Sequence, residues 1–363
     1  MLVVFNHLGL RIPLKQTALA EVLPACLLSR LNYNGYEAVF VFFVISGFLI
    51  AGNALRRWGS LERIDLRVFY ARRFARIVPC LLALIGLLSV LHLLAVPDYT
   101  ISRPGQSLPG AIWAALGLHL NWYEGQTGYL PGNWDVLWSL SIEEVFYIGF
   151  PLLCLLTRRR GVLVPLLALL ALSMPWTHAA LRGNEIWQEK AYLPGMSAIA
   201  IGVLGALLAA RSRALPARAV TLLGWLGAIG PLATTIDAAL MWQLLRDGYM
   251  LLLAISALCL LLACEQRQRR GDWQPWRALG WLRSWGRLSY EIYLSHMFVV
   301  FAVVQLFKLG SGDLRLGFLW YLLALPLCWL LGVAVERWLS APGERWLRRQ
   351  LARPVRIDDM ASA

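Results

Sequence analysis

Apolar runs long enough to cross a lipid bilayer recur along the whole of this 363-residue chain. A hydrocarbon core of about 30 Å takes about 20 helical residues to cross. In lipid the backbone must satisfy its own polar groups, which leaves helices or closed barrels. The apolar runs here recur at helical spanning length. They predict an all-α protein, a polytopic transmembrane helical bundle of about ten spans. The segments are 1–10, 36–52, 77–96, 138–157, 161–176, 192–210, 219–240, 248–264, 288–307 and 317–336. An eleventh apolar island, 111–120, is too short to span and reads as re-entrant or interfacial. Residues 1–10 reach roughly 15 Å as a helix, so the first span reads as truncated or begun upstream.

Composition agrees. Hydrophobic residues make up 59% and charged residues 15%, against about 45–50% and 25% in a soluble domain. The net charge of +13 would suggest nucleic acid in a soluble protein, but the basic residues sit in short loops between the apolar runs. One alternating set of loops (53–76, 158–160, 211–218, 265–287, 337–363) holds 25 Lys and Arg, and the opposite set holds 9. Positive loops stay in the cytoplasm, so both termini are expected there. The location expected is a bacterial inner membrane, with membrane lipids and no nucleic acid as partners. The domain expectation is one transmembrane unit over 1–340 and a basic cytoplasmic tail over 341–363. The six Cys form no CxxC and have no His at ligand spacing, so neither a disulfide framework nor a metal site is expected. No G-x-S-x-G elbow, P-loop, HExxH or dinucleotide-binding glycine pattern occurs. That removes support for a soluble hydrolase, an ATP-driven pump or a metalloenzyme.

Ionisable residues inside spans are costly and mark function. WSLSIEEVFY places Glu143 and Glu144 five and six residues into a span, with Trp138, Ser139, Ser141 and Tyr147 on neighbouring turns. Adjacent helical residues point about 100° apart, so one acid can serve chemistry while the other pairs structurally. His7, in FNHLG, is a candidate general base, since imidazole titrates near neutrality. Alone it reads equally well as a hydrogen-bonded core residue. Arg72, Arg73 and Arg76, in FYARRFARIVP, serve as a positive-inside anchor or as forks for phosphate. Tyr290, Glu291, Tyr293, Ser295 and His296, in WGRLSYEIYLSH, form a polar set that packing alone does not require.

Taken together and in this order, VVFNHLG, FFVISGFLI, FYARRFARIVP, WSLSIEEVFY and WGRLSYEIYLSH resemble the acyltransferase-3 family of membrane-bound O-acyltransferases, which includes O-antigen and Nod-factor acetylases. The resemblance covers nearly the whole chain. It implies about ten spans, acyl-CoA (acetyl-CoA foremost) as co-substrate, no bound cofactor, and a carbohydrate acceptor in the cell envelope. It makes His7 the catalytic base and Glu143 and Glu144 the acidic motif. Arg72 and Arg73, followed by Arg76, become the donor-binding arginines. Ser289, Tyr290, Tyr293 and His296 match the C-terminal element. Two departures stand out. The family's Arg about ten residues before the catalytic His would precede Met1, and a polar position before FFVISGF is Phe40. The mechanism expected has the arginines hold the donor's phosphates while its arm threads inward. His7 deprotonates a hydroxyl, and Glu143 or Glu144 orients the imidazole. Ser46 and Gly47, in an ISG turn, let the backbone approach the acyl group. The alternative is a transporter of a lipid-linked sugar or small molecule, which intramembrane acids also suit.

Overall fold

The computed structural model describes residues 1–157, 160–212, 214–236, 238–272, 277–310 and 312–351. Among them the secondary structure is helical throughout, with no strand. In chain order the helices are α1 Leu2–Gly9, α2 Ala25–Tyr33, α3 Gly35–Trp58, α4 Leu66–Leu93, α5 Leu108–Leu116, α6 Leu120–Thr127 and α7 Gly132–Asp135. Next come α8 Leu137–Thr157, α9 Arg160–Leu172, α10 Met174–Ala179, α11 Glu185–Lys190, α12 Tyr192–Arg211, α13 Ala217–Ile236 and α14 Ala238–Leu245. The last are α15 Tyr249–Arg269, α16 Gly280–Arg287, α17 Ser289–Leu309, α18 Phe318–Val335 and α19 Ala341–Leu351. Eight helical stretches among the described residues are long and apolar enough to cross a membrane, and a shorter apolar helix lies at Ala217–Ala233. The protein is a polytopic helical bundle.

Several boundaries differ from the sequence expectation, each for a physical reason. The apolar run predicts a third span over 77–96, but α4 starts at Leu66, where the Asp65 side chain accepts the Val68 amide at 3.0 Å. That cap satisfies a free helix-terminal donor and puts Arg72, Arg73 and Arg76 on helix rather than loop. The ISG turn does not exist: Ser46 and Gly47 lie within α3. Gly47 serves packing. A Cβ there would drive into the Ile199 carbonyl, and one at Gly202 into that of Val44. Helices α3 and α12 thus cross backbone to backbone, as small residues permit in membranes. The last span does not stop at Glu336. It continues through a π-helical turn, Glu336–Ser340, into the amphipathic α19. Residues 352–363 of the expected tail lie outside the described residues. The 111–120 island falls on α5 and its C-terminal turn, and α5 is only nine residues long.

Two apolar cores result. The larger joins α3, α4, α8, α9, α12 and α15, while the smaller joins α1, α17 and α18. Tyr293 packs against both, so the seam between them runs through the polar residues of α17. Gly202→Val should lower stability by at least about 1–3 kcal/mol, because overpacking here meets backbone. The thermal midpoint of the detergent-solubilised protein checks this, and an unchanged midpoint would remove the close crossing.

Candidate functional site

The site is built from α1, α3, α4, α8 and α17. At one end, α1 holds His7. The helix is short, and a buried amide fastens it: Asn32 accepts the Leu14 amide at 2.7 Å and donates to the Phe5 carbonyl and to Tyr321. Asn6 donates back to the Asn32 carbonyl at 2.9 Å. Gly9 leaves the space that Asn32 occupies, and a Cβ on Gly35 would strike Asn6. The string FNHLG is therefore a docking device as well as a carrier of histidine.

His7 opens into a cavity of about 530 Å³ that Tyr36, Asp135, Trp138, Lys190 and Tyr293 also line. Its ring lies 5.2 Å from that of His296. The Nδ1 of His296 lies 2.7 Å from the Tyr293 carbonyl. A carbonyl only accepts, so that nitrogen carries the proton, and Nε2 is left buried with no partner. Ser139 donates to the Tyr293 hydroxyl at 2.8 Å. A second, mostly apolar cavity of about 460 Å³ lies on the His296 side and shares Val3, Val39 and Tyr293 with the first. The two imidazoles stand on either side of that shared wall.

Behind the His7 cavity lies an ion cluster that the sequence did not announce. Lys190, 2% exposed, binds Glu124 at 2.7 Å and also Asp135, with its ammonium over the Tyr129 ring. Glu124 has no exposure at all and also accepts the Leu130 amide. The cluster ties α6, α7 and α11 into a cap beside the histidines.

At the other end, a cavity of about 540 Å³ is lined by Arg56, Arg57, Arg72, Arg73, Arg76 and Arg348, with Trp58, Asn53 and Glu344 among them. Several of these arginines have partners: Arg348 pairs with Glu344, and Arg56 donates to Asn53 at 2.7 Å. Arg73 pairs with Glu144 at 2.8 Å and lies 3.9 Å over the Tyr147 ring. Arg76 pairs with Glu291 at 3.0 Å and Glu344 at 3.6 Å, and lies over the Tyr290 ring. Ser340, in the π-helical turn, donates to Glu291 at 2.7 Å. Arg72 is exposed toward this cavity.

The face of α3 connects the two ends. Val39, Phe42, Ser46, Ile50, Asn53 and Arg57 recur every three or four residues and so share one side. Val39 lines the His7 cavity, and Ile50, Asn53 and Arg57 line the arginine cavity. From Val39 to Asn53 the helix rises about 21 Å. Midway, Ser46 shares a hydrogen bond with Tyr147 and neighbours Glu143. Glu143 is 8% exposed, and its Oε1 is buried without a partner.

The expected residues therefore divide. His7, Trp138, Ser139, Tyr293 and His296 gather at one end, and Arg72, Arg73, Arg76, Glu144 and Tyr290 at the other. Ser46, Glu143 and Tyr147 lie between them. Ser141 stands apart, since its hydroxyl donates back to the Leu137 carbonyl within α8. The expected carboxylate at the His7 ring is not found among the described residues: Glu144 is spent on Arg73, and Glu143 faces Ser46. Phe40, 1% exposed, packs on Tyr36 and Phe43 and fills core.

Comparison with known proteins places the chain. O-acetyltransferase OatA of Staphylococcus aureus (strain NCTC 8325 / PS 47) is 32% identical over 130 residues, 33% of this chain and 20% of the relative. The putative O-acetyltransferase SACOL0978 of Staphylococcus aureus (strain COL) is 34% identical over 125 residues, again 33% and 20%. The matched region thus spans about a fifth of the length of these curated relatives. No solved structure matches. The acyltransferase-3 family model, described as an acyltransferase domain, matches residues 1–337, and the chain belongs to that family.

Proposed function

We propose that this protein is a membrane O-acyltransferase that moves an acyl group, acetyl foremost, from cytoplasmic acyl-CoA to a carbohydrate hydroxyl on the opposite side. The observation that carries the reading is the separation of two polar ends along one helix face. A cluster of guanidinium groups suits the phosphates of a nucleotide-bearing donor. The His7 imidazole, in a cavity whose α3 lining residue Val39 stands about 21 Å along the helix from Asn53, suits deprotonation of a hydroxyl. The excess of basic residues at the arginine end supports a cytoplasmic position for it.

In this reading Arg72 and the neighbouring arginines hold the phosphates. The arm runs along α3, where Glu143 Oε1 offers an acceptor for an amide N–H. The acyl carbon arrives at the face of the His7 cavity that the His7 ring lines. His7 takes the proton of the acceptor hydroxyl as its oxygen attacks the thioester carbonyl. The tetrahedral intermediate collapses, the C–S bond breaks, and the CoA thiolate leaves with the proton held by the His7 imidazolium. His296, its Nδ1 fixed on the Tyr293 carbonyl, packs against the His7 ring and holds it. Neither Glu143 nor Glu144 is needed to orient His7; Glu144 instead fixes Arg73.

Release of free thiol from acetyl-CoA by the purified protein, with and without glycan, tests the proposal. Glycan-dependent release that Arg72→Ala weakens through the donor KM is expected. Substrate movement across the membrane with no thiol released would replace the reading with transport. Glu344 yields a further expectation. It sits between Arg76 and Arg348 and occupies charge that a phosphate would use. Glu344→Gln should tighten donor binding a few-fold, on the order of 1 kcal/mol, as measured by calorimetry with CoA. Weaker binding would instead make Glu344 a support for Arg76.

A further inference from the structure

The His7 cavity carries a charge and ring pattern that the acyl-transfer reading does not use. Three carboxylates, Asp135, Glu185 and Glu189, line it against two cations, Arg11 and Lys190. The two cations leave an excess of one negative charge on the lining. Lys190 is held by Glu124 and Asp135. Arg11 donates to the His7 carbonyl at 2.9 Å and lies over the Phe301 ring. Glu185 has no hydrogen-bond or ion-pair partner among the described residues. Glu189 accepts only the Tyr129 hydroxyl, at 3.1 Å. Burial and the Glu189 carboxylate hold the Tyr129 phenol above its ordinary range.

Independently of charge, five Tyr and Trp side chains line the same cavity: Tyr33, Tyr36, Tyr129, Trp138 and Tyr293. Tyr36 and Trp138 lie nearly parallel, with centroids 6.5 Å apart. Aromatic faces attract ammonium groups and also seat the apolar faces of sugar rings. A cleft with an excess of one sign of charge concentrates ligands of the other. A volume of about 530 Å³ falls within the range of small-ligand sites.

We infer that the acceptor bound at the His7 cavity is a sugar bearing a protonated amino group, selected over uncharged and acidic sugars by Glu185, Glu189 and the Tyr36–Trp138 wall. This rests on the reading that the cavity takes the acceptor. The ammonium lies toward α11, and a hydroxyl of the same or the adjoining ring is presented to His7. A carboxylate or phosphate in that place would face Glu185 and Glu189, neither of which has an ion-pair partner among the described residues.

The test is equilibrium binding to the full chain in nanodiscs, using the β-1,4-linked disaccharides of glucosamine, glucose and glucuronate. The amine should bind about tenfold more tightly than the glucose form, with the uronate weakest. Glu185→Gln combined with Glu189→Gln should bring the three within a few-fold of one another. Both glutamates lie on a short helix at the cavity rim, and an unchanged thermal midpoint certifies the fold of the variant. Equal or preferential binding of the uronate, no binding of the amine, or discrimination that survives in the double variant would each overturn the inference. Acyl transfer is read on the same preparation. Selective amine binding without thiol release from acetyl-CoA would leave the selectivity of the cavity standing and remove the transferase reading, and with it the sugar's role as acceptor.

Discussion

Replacing His7 with alanine should lower kcat by about 10²–10⁴, the usual contribution of a positioned acid–base group, while CoA binds as before. The reason is spatial. His7 sits in one cavity and the arginines in another, separated by about 21 Å of α3, with no residue lining both. Removing the imidazole should therefore leave the donor end intact. His7→Gln should be as inactive as His7→Ala, because an amide keeps hydrogen bonds but takes no proton at neutral pH. His296→Ala should fall in between. It removes the ring that packs against His7 at 5.2 Å without removing the base. Steady-state thiol release gives kcat, and calorimetry with CoA gives donor affinity. If His7→Ala kept wild-type turnover, the base assignment would be wrong. If it lost CoA binding as well, the two ends would not be separate sites.

The second large effect lies at Lys190. Lys190→Met should cost about 3–5 kcal/mol, because it strands buried carboxylates without their cation. Glu124, with no exposure, and Asp135 both depend on that ammonium. The α6–α7–α11 cap over the His7 cavity should come apart before the bundle does. The triple variant Lys190→Met, Glu124→Gln, Asp135→Asn should recover most of the loss, since it removes the charges together. Thermal midpoints of the three proteins in one detergent decide the matter. A single variant as stable as wild type would mean that the cluster is solvated and holds nothing.

These two sites also mark what the sequence could and could not reveal. Spans, acids and arginines were legible because each is local: an apolar run fixes a helix, and Glu143 or Glu144 inside one stands out by cost alone. The family strings named His7 and His296, but that the two rings meet at one end is seen only in the fold. The Lys190 cluster was invisible because its partners lie 66 and 55 residues away in loops that look merely polar. A lone Lys among loop residues carries no periodic signal. The pairing of Glu144 with Arg73, 71 residues apart, was likewise hidden, and so the acids were assigned to His7 instead. Gly47 misled for a different reason. Ser-Gly suggests a turn in water, but in lipid the same pair continues a helix and lets a neighbour approach. Arg348 and Glu344 looked like tail because the π-helical turn that carries the helix on into α19, beside α4, has no sequence mark of its own.

The central claim is that donor and acceptor meet from opposite ends of one bundle. Sealed proteoliposomes with the arginine-rich end outward test it most directly. Labelled acetyl-CoA is supplied only outside and the glycan acceptor only inside. Labelled acetyl ester on the enclosed glycan, matched by thiol appearing outside, is the expected result. Acetylation that occurs only when donor and acceptor share one side would contradict it.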